Sequence, residues 1–318
     1  MKAIQISAYG GPEVLQYVDL PEPVERPGHA LIRVTRAGVN YADTHTTENT
    51  YITPTQLPAV PGGEVAGTTP DGRRVVALVP GGGYAELAVA RDDLIFDIPD
   101  GITDGQALAL VLQGVTAWHL LQTSAHLAAG ESVVVHSAAG GVGTVAVQLA
   151  KHYGAGRVIA TASTAEKRKL AEELGADLAL EAGANLRDQL IEANGGRPVD
   201  VILEMIGGPV FDQSLRALAP FGRLVTFGQA SRTAAKAIDP VKLMAASRGV
   251  IGFWLGHCFR RPATIAQPLE ELFRLTLDGV LRPVVGGEYP LAEAARAHQD
   301  ILGRGTVGKL VLDPQEAS

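Results

Sequence analysis

At 318 residues the chain is long for one core and comfortable for two domains. A composition of 46% hydrophobic and 19% charged residues excludes a disordered chain, and the 37 glycines keep no three-residue period, which excludes collagen. A net charge of -7 supplies no overall pull toward nucleic acid or anionic membrane. The single cysteine, Cys258, excludes intrachain disulfides and multi-cysteine zinc sites. No long apolar run follows Met1, so no signal peptide is expected and a cytoplasmic location is.

In chain order, residues 2–7 read as a strand that ends at the turn Gly10, Gly11, Pro12. Residues 30–36, 73–78 and 85–90 are further short strands with glycine-rich turns between them. Long helical periodicity is absent before about residue 104, so this part predicts a small irregular β domain. The stretches 105–130 and 132–150 contain no Asp, Glu, Lys or Arg. Gln113, His119, Gln122 and His126 interrupt the first and three glycines the second, so both read as buried elements rather than membrane spans.

From residue 131 the rhythm changes. Strands are predicted at 132–136, 157–162, 178–180, 199–205, 223–227 and 250–255, with helices at 143–152, 164–174, 185–194 and 209–218. That alternation is the pattern of βαβ units and a mostly parallel sheet. Helices at 262–277 and 292–302 and a strand at 306–312 follow, while Asp239-Pro240 and Arg260-Arg261-Pro262 read as solvent-facing turns.

The run VVVHSAAGGVG at 133–143 carries the clearest motif. Gly140 and Gly143 match the second and third positions of a G-x-G-x-x-G fingerprint, and Ala138 replaces the first. A strand, this turn and a helix would place unpaired backbone amides and a positive dipole end against a pyrophosphate, so Ala138, Gly140, Gly141, Val142 and Gly143 are candidate cofactor-binding residues. No acid stands at the end of the second strand, where an NAD-preferring protein would bind the ribose hydroxyl. Ser163, Lys167 and Arg168 follow instead, which favours NADPH. Lys167 and Arg168 also suit an ordinary solvated helix face.

Five segments together carry a family pattern: GVNYADT at 38–44, PGGEVAG at 61–67, LQGVTA at 112–117, the 138–143 loop and GKLVL at 308–312. With them the chain resembles the zinc-independent, ζ-crystallin-like quinone oxidoreductase branch of the medium-chain dehydrogenase/reductase superfamily. The resemblance implies an α/β fold: a Rossmann-type doubly wound parallel sheet domain at 121–256, and a GroES-like irregular β-barrel catalytic domain built from 1–120 and 257–318. It places Asn40, Asp43 and Tyr51 around the nicotinamide and substrate. Asn40 would hold the carboxamide or orient the acceptor, and Tyr51 would bond or protonate an acceptor oxygen. Asp43 would orient its neighbours or cap a helix. Gln113 and Thr116 would touch the nicotinamide ribose side, and Gly207, Gly228, Phe253 and Leu255 would line the cofactor cleft. For Lys309, cofactor contact and strand anchoring both stand open.

Asn40, Gly63 and Gln113 stand at or near the places where zinc-dependent relatives keep ligands, so no catalytic metal is expected. Three functions are consistent with these residues. The first is metal-independent hydride transfer from NADPH to a quinone. The second is reduction of an activated C=C bond in an enone, alkenal or enoyl substrate. The third is RNA binding or a structural role, which the charge of -7 disfavours. The resemblance also implies a homodimer joined at the sheet edge near 248–256. Two departures are visible: residues 68–75 compress a longer connection, and Glu181 stands where relatives place Tyr beside the adenine.

Overall fold

In the computed structural model, which describes residues 1–315, the chain forms two compact units. One contains Met1–Gln113, Cys258–Asp278 and, of the described residues, 283–315; the other contains Gly114–His257 and Gly279–Arg282.

The second unit is a six-stranded, all-parallel sheet. Across the sheet the strands run Leu178–Leu180, Arg157–Thr161, Ser132–Val135, Val199–Glu204, Leu218–Thr226 and Gly249–Gly252. In chain order that is 3-2-1-4-5-6, the doubly wound arrangement of dinucleotide-binding domains. The central strands are buried on both faces, which is why Ser132–Val135 and Arg157–Thr161 read as continuous β-branched runs without alternation. Helices Gly141–His152, Ala165–Glu173, Leu186–Ala193 and Gly208–Ala217 make the crossovers.

The last strand is shorter than the sequence predicts. Phe253 N–H still donates to Thr226 O at 2.9 Å, but His257 N–H turns back onto Trp254 O, and a 3-10 turn covers Leu255–Arg260. Phe253 and Leu255 therefore lie beyond the strand. Asp239-Pro240 also departs from a plain turn. The Asp239 carboxylate accepts from Val241 N–H at 2.9 Å and caps the exposed helix Pro240–Ala246.

The first unit is a seven-stranded sheet around an apolar core that includes Ile4, Ile32, Val34, Val65, Val75, Leu310 and Leu312. Its long strand His29–Val39 pairs with Glu64–Thr68, Leu87–Arg91 and Lys309–Asp313, all antiparallel. The strands Gln16–Asp19, Glu64–Thr68 and Val285–Pro290 and the helix Tyr41–Thr47 add to the predicted set. Asp104 and the uncharged stretch after it are helical as far as Ser124, with two π-type turns. Among the described residues no helix is long and apolar enough to cross a membrane.

One buried imidazole ties three elements of the parallel unit. His136 sits just past the first strand; its Nδ1 is 2.9 Å from Thr161 Oγ1 and its Nε2 is 2.8 Å from Ser214 Oγ. Burial pushes its pKa down to about 4. A histidine depressed in the fold contributes stability that is full above pH 6.5 and is lost as pH falls through 4. His136→Gln should therefore cost about 1–3 kcal/mol at pH 7. The gap from wild type should narrow toward pH 4 in urea titrations; a gap independent of pH would contradict this account.

Candidate active site

The first unit concentrates its buried polar side chains around Asn40. Strand pairing sets Leu310 opposite Val39 and Ala37 opposite Val65, so Lys309, Asn40 and Glu64 converge. Lys309 and Glu64 have no solvent exposure and form an ion pair. The Lys309 ammonium also donates to Asn40 Oδ1 at 3.0 Å and Val39 O at 3.4 Å. Asn40 Nδ2 donates to both Glu64 oxygens at 2.8 Å, and Gln113 Nε2 donates to Asn40 Oδ1 at 3.0 Å.

The pair fits because residue 38 is glycine. A Cβ on Gly38 would stand 2.7 Å from Glu64 Cδ and 2.7 Å from Lys309 Cε. A glycine inside a long strand weakens it, and here it marks that close approach.

A second branch leaves Asn40 through its backbone. Asp43 Oδ2 accepts from Asn40 N–H at 2.8 Å, which closes the first turn of helix Tyr41–Thr47, and from Tyr84 Oη at 2.8 Å. Tyr84 Oη lies 3.1 Å from His298 Nε2. The tyrosine hydrogen is spent on Asp43, so His298 donates from Nε2, and its buried Nδ1 has no partner among the described residues. Burial pushes His298 down to about 4 and Tyr84 well above its ordinary value. Burial, and then the Glu64 charge, push the Asp43 carboxyl up to about 7.

In the parallel unit, Ser137 adopts φ 51°, Ala138 N–H donates to Thr161 O at 3.0 Å, and Gly140 N–H donates to Ser137 O at 2.9 Å. A Cβ on Gly143 would lie 2.6 Å from Ala138 Cα, so the turn packs against the helix only with glycine there. Gly207, at φ 80°, caps helix Gly208–Ala217, and its N–H donates to Glu204 Oε1 at 2.8 Å. A Cβ on Gly228 would stand 3.3 Å from Met205 O.

Asn40, Asp43, Gln113 and Lys309 are thus joined in one network. Lys309, expected among cofactor-binding residues, has its ammonium sealed inside that network. Asn40, expected to present its amide to a ligand, has both ends of it engaged by protein. Tyr51 lies half-buried in the irregular segment after helix Tyr41–Thr47. Ala138, Gly140, Gly141, Val142 and Gly143 form the turn and the start of its helix. Ser163 is exposed beyond the second strand, and Lys167 N–H donates to Thr164 Oγ1 at 3.3 Å. Arg168 donates to Ala162 O at 3.3 Å and pairs with the exposed Glu181 at 3.4 Å. Thr116 is buried on helix Val115–His119, Leu255 is buried, and Phe253 stacks on His119 with ring centroids 5.4 Å apart.

Tyr84 and His298 escaped the sequence reading, because lone aromatics and histidines carry no spacing signal. Gly38 had one, a glycine within an apolar strand.

Residues 141–274 match the family described as zinc-binding dehydrogenase, and residues 26–100 match the alcohol dehydrogenase GroES-like domain. The quinone oxidoreductase of Pseudomonas aeruginosa is 35% identical, with 98% of this chain and 99% of that protein covered. The quinone oxidoreductase of Thermus thermophilus, solved alone and with NADPH, superposes with a TM-score of 0.89 at 39% identity, covering 98% of this chain and 100% of that one. The Escherichia coli quinone oxidoreductase in complex with NADPH gives a TM-score of 0.92 at 30% identity, covering 99% and 100%.

The family description implies zinc, and the residues do not fit it. Gly63 has no side chain, Asn40 and Gln113 are amides, and Glu64 is neutralised by Lys309. Among the described residues no group of three or more His, Cys, Asp or Glu is placed to hold a metal.

Two outcomes follow from the network. Gly38→Ala should destabilise the first unit by about 3 kcal/mol or more, the scale of breaking a buried pair, as read by chemical denaturation. Asp43 has a folded pKa above the unfolded 3.8, so its contribution is full below pH 3.8 and is lost as pH rises through about 7. Asp43→Asn removes that titration. The stability of the variant relative to wild type should therefore rise between pH 5 and pH 8; a flat difference would rule out a carboxyl titrating in this range.

Proposed function

Because the chain belongs to the zinc-independent quinone oxidoreductase branch of the medium-chain dehydrogenase/reductase superfamily, we propose that it reduces quinones with NADPH and without a metal. The observation that carries this reading is the glycine-packed turn at the carboxyl end of the first parallel strand, with helix Gly141–His152 behind it. The residues fit a dinucleotide. Gly143 lets the turn lie against the helix, and the amides at the start of that helix would hold the pyrophosphate. Gly207 and Gly228 keep nearby backbone free of side chains. Ser163, Lys167 and Arg168, with no acid at the strand end, would take the 2′-phosphate.

When bound, the dihydronicotinamide supplies a hydride. A quinone takes up that hydride and a proton to become the hydroquinone, its developing charge delocalised through the ring. No metal is needed to stabilise an alkoxide. The chain's own work is alignment, exclusion of water and a supply of hydrogen-bond donors. Asn40, Asp43 and Tyr51 are the catalytic-domain residues of this reading, and Gln113 and Thr116 are its residues for the nicotinamide ribose side. The division into 1–120 with 257–318 and 121–256 is its functional counterpart. Tyr51 bonds or protonates the acceptor oxygen, and Asp43 fixes the turn that carries Asn40.

Stopped-flow oxidation of NADPH tests the reading. Fast turnover with 1,4-benzoquinone and 9,10-phenanthrenequinone, unchanged by EDTA and slower with NADH, is the expected result. Turnover confined to a crotonyl thioester and 2-alkenals would move the chain to the activated-alkene reductases.

The reading includes a cytoplasmic homodimer. Gly249–Gly252 is the outer strand of the parallel sheet, and Val250 and Ile251 on it are partly exposed. Val250→Lys or Ile251→Lys should give monomers in sedimentation; a persistent dimer would place the interface elsewhere.

A further inference from the structure

The polarity of two buried amides follows from one ion pair. A carboxylate only accepts hydrogen bonds and an ammonium only donates them. Asn40 lies between Glu64 and Lys309, with Nδ2 on the carboxylate and Oδ1 on the ammonium. The flipped amide would set its NH2 against the ammonium and its oxygen against the carboxylate, so one orientation is fixed. Gln113 is the next link. Asn40 Oδ1 can only accept, so Gln113 meets it with Nε2. That leaves Gln113 Oε1 at the far end, buried and without a partner among the described residues. Buried acceptors are nearly always paired in native proteins.

We propose that Gln113 Oε1 is a ligand-binding acceptor, held in that orientation by the Lys309–Glu64 pair acting through Asn40, and that it receives an N–H or O–H hydrogen from the bound ligand. This rests on the proposed function, which supplies two such donors: the carboxamide NH2 of NADPH and the hydroxyl of the hydroquinone product. Gln113 is then a binding residue, and Lys309 and Glu64 are positioning residues that touch no ligand.

The test compares dissociation constants for ligand pairs that differ in the donor. NADPH is paired with its 3-acetylpyridine analogue, which has no N–H on that substituent. Hydroquinone is paired with its dimethyl ether. Gln113→Leu should weaken NADPH or hydroquinone about tenfold, near 1.4 kcal/mol, and leave the donor-free partner unchanged. Which of the two weakens identifies the donor. The double variant Glu64→Leu/Lys309→Met removes both charges together, so no charge is left buried alone. It should show the same selective loss while circular dichroism reports a folded chain, an outcome that general loosening, which weakens all four ligands alike, does not give. If Gln113→Leu binds all four as wild type does, the assignment is wrong. If the double variant folds and keeps wild-type discrimination, the positioning role is wrong. If wild type binds neither NADPH nor hydroquinone, the proposed function fails and the assignment falls with it.

Discussion

The buried pair of Lys309 and Glu64 is the constraint on which the first unit's polar interior depends. Two charges with no solvent exposure are tolerable only while each has the other. Glu64 begins one strand and Lys309 another, and Gly38 lies between them on a third. The pair therefore cross-links three strands that are far apart in sequence. Asn40 completes the coordination of both charges, and its own backbone then anchors Asp43, Tyr84 and His298. The helix Tyr41–Thr47 is thus held at its start by a network that includes Glu64 and Lys309 on the sheet, Tyr84 in a loop, Gln113 in a helical turn and His298 on helix Ala294–Leu302.

The parallel unit depends on geometry rather than charge. Its turn after Val135 needs a left-handed residue at Ser137 and no side chain at Gly143. His136, just before that turn, bonds Thr161 and Ser214 and is neutral because it is buried. In the proposed reading the two units would meet ligands differently, one with backbone amides at a helix start and the other with side chains oriented by a salt bridge.

The parallel sheet was legible because burial on both faces writes itself into sequence as short β-branched runs separated by helical ones. The glycine turn was legible because only glycine satisfies Gly143. The first unit was harder. Glu64–Thr68 begins with a charge and contains a glycine, so a pattern of apolar alternation passes over it. Helix Tyr41–Thr47 has seven residues, too few for periodicity, although Asn40 and Asp43 at cap and third position are a capping signal. Residues 250–255 read as one apolar strand, yet the backbone turns away after Gly252, and composition does not record where a ladder stops. In the buried network, Asn40, Asp43, Gln113 and Lys309 stand in segments that motifs had marked. Their mutual geometry was not marked, because it depends on register between strands hundreds of residues apart in the chain.

The tethered ammonium also bears on how such a site can change. A metal can be lost and regained while its ligands stay in place; a lysine cannot leave. Replacing Lys309 alone strands a buried carboxylate, and replacing Glu64 alone strands a buried ammonium. Enlarging Gly38 displaces both. A path from this arrangement to a metal-binding one, or back, must therefore cross a destabilised intermediate or change several positions at once. The three residues form an epistatic unit, and the family's division into members with and without metal has, in this chain, a physical barrier that holds it in place.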